Sequence, residues 1–421
     1  MSSRPVVLVV AADTEAEGYR GYCLESVAAA YDIALITTEE PSWEVPHIRD
    51  CVVVPDLADQ AALNAAGVLL AERHRPAGVF TWTEWYLVPV ARLARRLGLP
   101  TTSPEALRGC RNKATARTLY ARHGVPSAAA VGVRSLQEAV VAAGQIGYPV
   151  VVKPAERAGS LGVIRADTPE QLAGAHRFAA EATGQGGDAS AVLVEEYLDG
   201  PEVSVECVTH RGTTTAVAVT RKTVGDPPYF QEVAHCVDAA DPLLAVVAPA
   251  ARAAIRALGI TDSVSHVEMR LVDGRTRLIE VNARLAGDMI GHLVRLATGI
   301  DLPRAAADIA CDRTPDLTPT RSSAAAIHLI HPPTSGTLHH AGPDGPRPQW
   351  VDRIHFQHRP GDQLVLPADG GDLYTARIGY VITTGPTARI AHARASESVR
   401  GLNIDVTPGT ADEPVAGGRA A

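Results

Sequence analysis

The sequence predicts a mixed α/β and α+β protein, and three observations carry that expectation. Through the first hundred residues, β-branched runs alternate with helical stretches, as in a parallel α/β unit. A second compact α/β segment, at about 131–195, contains the run "VVVKPAERAGSLGV" at 150–163. From about 322 to 406, glycine and proline punctuate short strands and few long helices fit, which reads as a smaller β-rich unit.

The elements follow in order. Strand 6–10 is continuously apolar and leads to helix 19–31 and strand 33–37. A short strand at 52–54 precedes helix 58–73, and strand 78–81 precedes helix 85–97, which closes on Gly98. No G-x-G-x-x-G follows the first strand, so this Rossmann-like region carries no dinucleotide fingerprint. Helix 113–122 stops at Gly124, with Pro126 beyond. A hydrophobic strand at 191–197 runs into the turn "LDGPE" and then an alternating strand. Strands are expected at 214–220, 263–271 and 277–281, with a helix at 242–258 between the first two. The final "GTADEPVAGGRAA" is small and polar and reads as a disordered tail.

Composition narrows the function. A length of 421 residues allows roughly two to four domains. The formal net charge of -8 argues against general binding to nucleic acid or an anionic membrane. No apolar run approaches the roughly 18 residues of a membrane span. The first apolar run meets Asp13 and Glu15 too soon for a secretory signal. The 6 cysteines lie far apart without a C-x-x-C pair, which fits neither a disulfide framework nor a zinc site. A reducing cytoplasm is expected, with the thiols buried and inert.

Three constellations carry chemistry. Of 39 lysines and arginines only three are lysines: Lys113, Lys153 and Lys222. A chain that uses arginine elsewhere places lysine where a compact, flexible point charge is needed. Lys153 ends an apolar strand and faces the loop Ala158-Gly159-Ser160-Leu161-Gly162, whose backbone N–H groups can approach phosphate oxygens closely. It is not a Walker loop, because the lysine precedes the glycines. A glycine turn after a strand is also a common structural feature.

The second constellation is "SHVEMRLVDGRTRLIEVNARLAGD". A hairpin at "VDGR" lets Glu268 and Glu280 face the same side, with Asn282 two residues on and Arg284 next in the alternation. Two carboxylates and an amide oxygen make a hard, oxygen-rich site suited to magnesium carrying a nucleotide's phosphates. The third is "LVEEYLDGPEVSVE" at 193–206, a strand and turn able to read adenine through its backbone, with Glu202 placed for ribose hydroxyls. Alone, it is any strand and turn.

Taken together, the order of Lys113, Lys153 with its glycine loop, "EEYLDGPE", Glu268, Glu280, Asn282 and Arg284 resembles the ATP-grasp superfamily, over about 12–391. The motifs "TWTEW" (81–85), "PPYFQEVAH" (227–235) and "EVNARLAGDMI" (280–290) look most like its L-amino acid ligase branch. Those enzymes join carboxylates and amines, typically amino acids or their derivatives, into amides through an acyl phosphate, releasing ADP and phosphate. The resemblance implies an N-terminal Rossmann-like (pre-ATP-grasp) domain at 1–110 and an ATP-grasp domain at 111–320 with a lid at about 131–195. A β-rich C-terminal domain at 321–407 and a tail at 408–421 follow.

The resemblance further implies that Lys113 and Lys153 bind ATP phosphates together with Ser160 and Gly162, so that phosphates complete the environment of Lys153. Glu195 and Leu198 would meet adenine through their backbones, Glu202 the ribose, and Lys222 would be a third phosphate-side lysine. Glu268, Glu280 and Asn282 would hold magnesium, with manganese as the alternative. Arg284, catalytic with Lys153, would bind the substrate carboxylate. Glu84, His235 and Gly287 would line the substrate pocket. Ala286 departs from the family, where many relatives have a glycine before Gly287. A cytoplasmic homodimer is expected. Two rivals stand beside this reading: an ATP-grasp carboxylase or formate-using ligase, and a catalytically silent nucleotide-binding module.

Overall fold

The computed structural model describes residues 4–11, 17–157, 159–183, 192–372 and 374–408. Asp13, Glu15 and Ala158, named above, lie outside the described residues, as do positions 12 and 191 and the tail from 409 onward. The first sheet is parallel throughout, in the order Ile48–Val53, Asp32–Thr37, Val6–Val10, Gly78–Phe80. Every residue of Val6–Val10 is buried, so both faces need cover. Val6, Leu8 and Val10 pack with Leu63, Leu70, Val90 and Leu93, from helices Gln60–His74 and Leu87–Leu97. Val7 and Val9 turn the other way, into a core shared with Tyr22, Leu293 and Ile309. The alternation of one strand thus joins the N-terminal region to helices some 300 residues away in sequence.

Local chemistry sets the helix ends. Asp59 accepts the Ala61 and Ala62 N–H groups, Ser103 that of Ala106 and Asn112 that of Thr115. Gly98 ends Leu87–Leu97 at φ +68, a left-handed cap that glycine adopts without strain. The helix expected at 19–31 spans Glu17–Ala28, because Asp32 is already paired with Val6. The helix expected from residue 85 begins at Leu87, behind a 3-10 turn over Glu84–Tyr86.

The second sheet has eight strands, in the order Arg275–Asn282, Ser263–Val272, Glu202–His210, Thr213–Val224, Glu232–Asp238, Ala324–Ile330, Gly379–Gly385, Val351–Phe356. The expected boundary near 320 does not interrupt it: His235 lies opposite Ile327, so C-terminal strands continue the central sheet. The reason is legible in Ala324–Ile330, where six of seven residues are buried and cover is needed on both faces. A separate three-stranded sheet (Gln363–Leu364, Gly336–Pro343, Leu402–Pro408) does lie in this region. So does an unexpected helix, Ala388–Arg400, capped by Thr387.

A third, four-stranded sheet (Ala130–Val133, Val192–Glu196, Val150–Pro154, Ile164–Ala166) has its own core, formed with helices Leu136–Ile146 and Pro169–Glu181. It meets the large sheet at few points. Ser127 bridges Leu278, Arg277 holds Glu196 at 2.6 Å, and the Arg165 N–H donates to Pro228 O at 2.9 Å. Independent core and sparse ties are what a hinged unit requires.

Where the parallel sheet meets the body, contact is backbone to backbone. A Cβ added at Gly78 would lie 2.2 Å from Ala310 O, which cannot yield without moving the helix Leu302–Ala310. Gly78→Ala should therefore destabilise the protein by about 1–3 kcal/mol. Urea denaturation followed by circular dichroism checks this, and an unchanged midpoint would refute it.

Candidate active site

The hairpin carrying the carboxylates turns at Asp273 and Gly274, both at positive φ (+50 and +72), as a tight two-residue turn requires. Its register sets Glu268 directly opposite Glu280, and His266 opposite Asn282. Cross-strand neighbours share a sheet face, so the two carboxylates project together. Asn282 is buried close by.

Each of the three lysines is buried against a carboxylate from another part of the chain. Lys113, the first residue of helix Lys113–Arg122, pairs with Glu280 at 3.2 Å and donates to Arg157 O at 2.5 Å. Lys153 pairs with Glu195 at 2.6 Å, and Arg117 meets the same carboxylate at 3.0 Å. An anion within the chain, the Glu195 side chain, thus meets Lys153. Burial holds the Lys153 proton affinity below the usual lysine range, against the opposing pull of Glu195.

Lys222 lies 2.5 Å from Glu232, 2.6 Å from Glu268 and 3.7 Å from Glu202, a nest of carboxylates that outweighs burial and raises its pKa. Glu268 is held well below the ordinary carboxylate range despite burial, by Lys222 and His266. His266 bridges Glu206 (2.8 Å) and Glu268 (3.0 Å); burial alone would depress it, yet these carboxylates push it up to about 9.

The hinge differs from expectation. Glu195 sits in a central strand between Ala130 and Val151, which encloses its main chain in the ladder. Leu198 O accepts from Arg270 at 2.8 Å, and Arg270 also grips Glu202 through two bonds of 3.1 and 3.0 Å. Beside them opens a cleft of about 340 Å³, lined by Tyr197, Glu202, Lys222, Tyr229, Phe230 and Arg270 among others. Arg165 stacks over the Tyr197 ring at 4.1 Å. In the glycine loop, Gly159, Ser160 and Gly162 all have positive φ (+69, +57 and +72). A Cβ at Gly162 would fall 2.4 Å from that of Ala182.

Arg284 binds Glu84 at 2.9 Å, and Arg111 approaches the same carboxylate at 3.4 Å. A Cβ on Gly287 would meet open space, so no neighbour dictates glycine there. His235, fully buried, lies 3.1 Å from Asp288 and 3.6 Å from Glu232, whose charges raise its pKa against burial. Asp288 in turn takes Arg377 and the Tyr19 hydroxyl, both at 2.5 Å. These three side chains come from all three regions of the chain.

Sequence reasoning missed several of these groups. Glu206 and His266 were within reach, because they lie four residues from Glu202 and two from Glu268 and so on the same strand face. Glu232 and Asp288 stand inside quoted motifs. Arg117, Arg111 and Arg377 gave no local signal, since their partners lie far away in sequence.

With this geometry in view, comparisons with known proteins can be placed. The ATP-grasp domain family model matches residues 146–292, and that of the ATP-grasp N-terminal domain matches 27–101. A crystal structure of L-amino acid ligase from Bacillus licheniformis superposes with a TM-score of 0.80 at 21% identity, covering 97% of this chain and 100% of that one. The chain is an ATP-grasp protein, and it has the ATP-grasp fold. It is 33% identical over 328 residues to human carnosine synthase 1, covering 72% of this chain and 39% of that protein. It is 26% identical over 267 residues to alanine–anticapsin ligase of Bacillus amyloliquefaciens, covering 58% of this chain and 56% of that protein. The chain thus spans only part of the length of these named relatives.

The buried Lys153–Glu195–Arg117 cluster yields a stability test. Glu195→Gln keeps shape but leaves two buried cations facing no charge. It should cost about 3 kcal/mol, the order expected when one partner of a buried pair is removed. Chemical denaturation reads this directly, and a loss below about 1 kcal/mol would contradict it.

Proposed function

We propose that this protein is an ATP-dependent carboxylate–amine ligase that forms an amide bond through an acyl phosphate. The observation that carries the reading is the cross-strand pair Glu268–Glu280, flanked by Asn282 and faced by Lys113, with Arg284 two residues further on. The donor set is hard oxygen throughout, which suits magnesium, or manganese in its place. Glu268, Glu280 and Asn282 would hold the ion, which when bound would neutralise phosphate charge. No described helix is long and apolar enough to cross a membrane.

The chain's own groups then have distinct tasks. The cleft beside Tyr197 and Arg270 suits a base and ribose, with Glu202 at the ribose. Lys113, Lys153 and the N–H groups around Ser160 and Gly162 would receive phosphates, so Lys113 would exchange Glu280 for a phosphate oxygen. Glu84 keeps Arg284 oriented until a substrate carboxylate takes its place. That carboxylate oxygen attacks the γ-phosphorus, the bond to the β-phosphate bridging oxygen breaks, and ADP leaves. The amine nitrogen then attacks the acyl carbon, phosphate departs, and the amine loses a proton. Glu232, His235 and Asp288, held by Lys222 and Arg377, would form a polar wall of the substrate pocket, and Gly287 leaves space beside it. The four-stranded unit would close over the site and exclude water from the acyl phosphate.

The relatives' names support amino acids as acid and amine, and the likeness to ligases favours this reading over a carboxylase or a silent module. A cytoplasmic setting and a homodimer belong to the same proposal. The test is phosphate release from ATP across a matrix of amino acid pairs, with amide product identified by mass spectrometry. ATP turnover that never depends on an added acid and amine would overturn the proposal.

Two substitutions sharpen it. Arg284→Ala should lower turnover on the order of a hundredfold or more while magnesium–ADP affinity stays within about threefold. Arg284→Lys should rescue little, because a point charge cannot hold two oxygens at once. Glu280→Gln should abolish turnover in a folded protein, since charge matters more than shape at a magnesium site. Loss of ADP binding in Arg284→Ala with the rate per turnover preserved would move Arg284 to the nucleotide site.

A further inference from the structure

Trp85 is 39% exposed, unlike its neighbour Trp82, which is buried. Its ring is not idle. The Arg111 guanidinium lies 5.5 Å from the ring centroid and the Arg157 guanidinium 5.6 Å, so two cations share one aromatic side chain. The two arginines belong to different machinery. Arg111 reaches Glu84, and Glu84 holds Arg284. Arg157 opens the glycine loop and donates to Ala182 O and Thr183 O, both at 2.8 Å, at the C-terminal end of helix Pro169–Glu181. The same stretch of loop is docked onto the start of helix Lys113–Arg122. The Lys113 N–H donates to Ala155 O at 3.0 Å, Asn112 to Glu156 at 2.7 Å, and Lys113 Nζ to Arg157 O.

We propose that Trp85 is a positioning residue: held between Arg111 and Arg157, its ring clamps the glycine loop and the four-stranded unit onto the body and links that closure to the Glu84–Arg284 pair. Contacts run without a gap from Arg284 through Glu84, Arg111 and Trp85 to Arg157. A substrate carboxylate drawing Arg284 away from Glu84 leaves Glu84 to Arg111 alone and shifts the ring's partner. The acid site and the phosphate loop therefore report on each other. The functional meaning of the link rests on the ligase reading above, whereas the clamp itself does not.

The test separates the two. Amide hydrogen exchange of a peptide covering 151–157 is measured in the full-length protein without ligand, for wild type, Trp85→Ala and Trp85→Phe. Trp85→Ala should exchange about three- to tenfold faster, and Trp85→Phe should restore most of the protection because a ring remains. Magnesium–ADP affinity by calorimetry should follow the same order, weakening about three- to tenfold in Trp85→Ala. Glu84→Gln should speed exchange in the wild-type background and add little in Trp85→Ala, a non-additivity that marks coupling. Unaltered exchange in Trp85→Ala, or a Phe variant as defective as Ala, overturns the clamp. Full additivity with Glu84→Gln overturns the link. If wild type binds no magnesium–ADP, the ligase proposal fails while the exchange data still decide the clamp.

Discussion

Burying three ammonium groups obliges the fold to bring anions to them, and much of this site follows from that requirement. The side chains of Lys113, Lys153 and Lys222 are 6%, 5% and 2% exposed, so each must be matched by charge at contact distance. Their partners, Glu280, Glu195 and Glu268, come from the hairpin and from the four-stranded sheet. Strand register and the seating of that sheet are therefore tied to electrostatics. A one-residue slip that turned Glu280 to the opposite face would take from Lys113 its paired carboxylate.

The same matching gives the site its character, because its cations and carboxylates neutralise one another. On the ligase proposal, a nucleotide carrying its metal would exchange with both sets at once, whereas either alone would leave buried charge behind. Pre-paired groups also stay oriented, which lowers the ordering entropy that binding would otherwise cost. Arg284 with Glu84 and His235 with Asp288 are matched by the same logic.

The large sheet explains why the C-terminal region belongs to the site. Because Ala324–Ile330 pairs with Glu232–Asp238, the segment that follows it brings Arg377 within 2.5 Å of Asp288. Tyr19 reaches the same carboxylate from the N-terminal region. One buried aspartate thus holds three stretches of chain at a fixed spacing, beside the histidine assigned to the substrate pocket.

The sequence by itself determined what depends on near neighbours. Alternation in the first strands, the Asn112 cap before Lys113, and the Asp273–Gly274 turn all act over a few residues. That is why the parallel sheet, the Lys113 helix and the Glu268–Glu280 hairpin were legible. The scarcity of lysine was equally readable and singled out three positions, whose side chains the structure buries. Only the tertiary structure decided which anion each cation meets. Arg284 and Glu84 are 200 residues apart, Arg377 and Asp288 are 89 apart, and Arg117 and Glu195 are 78 apart. Nothing in local periodicity encodes such pairs. They exist because the stacking of sheets and helices closes those long loops, and because a buried charge takes the oppositely charged group that packing places within reach.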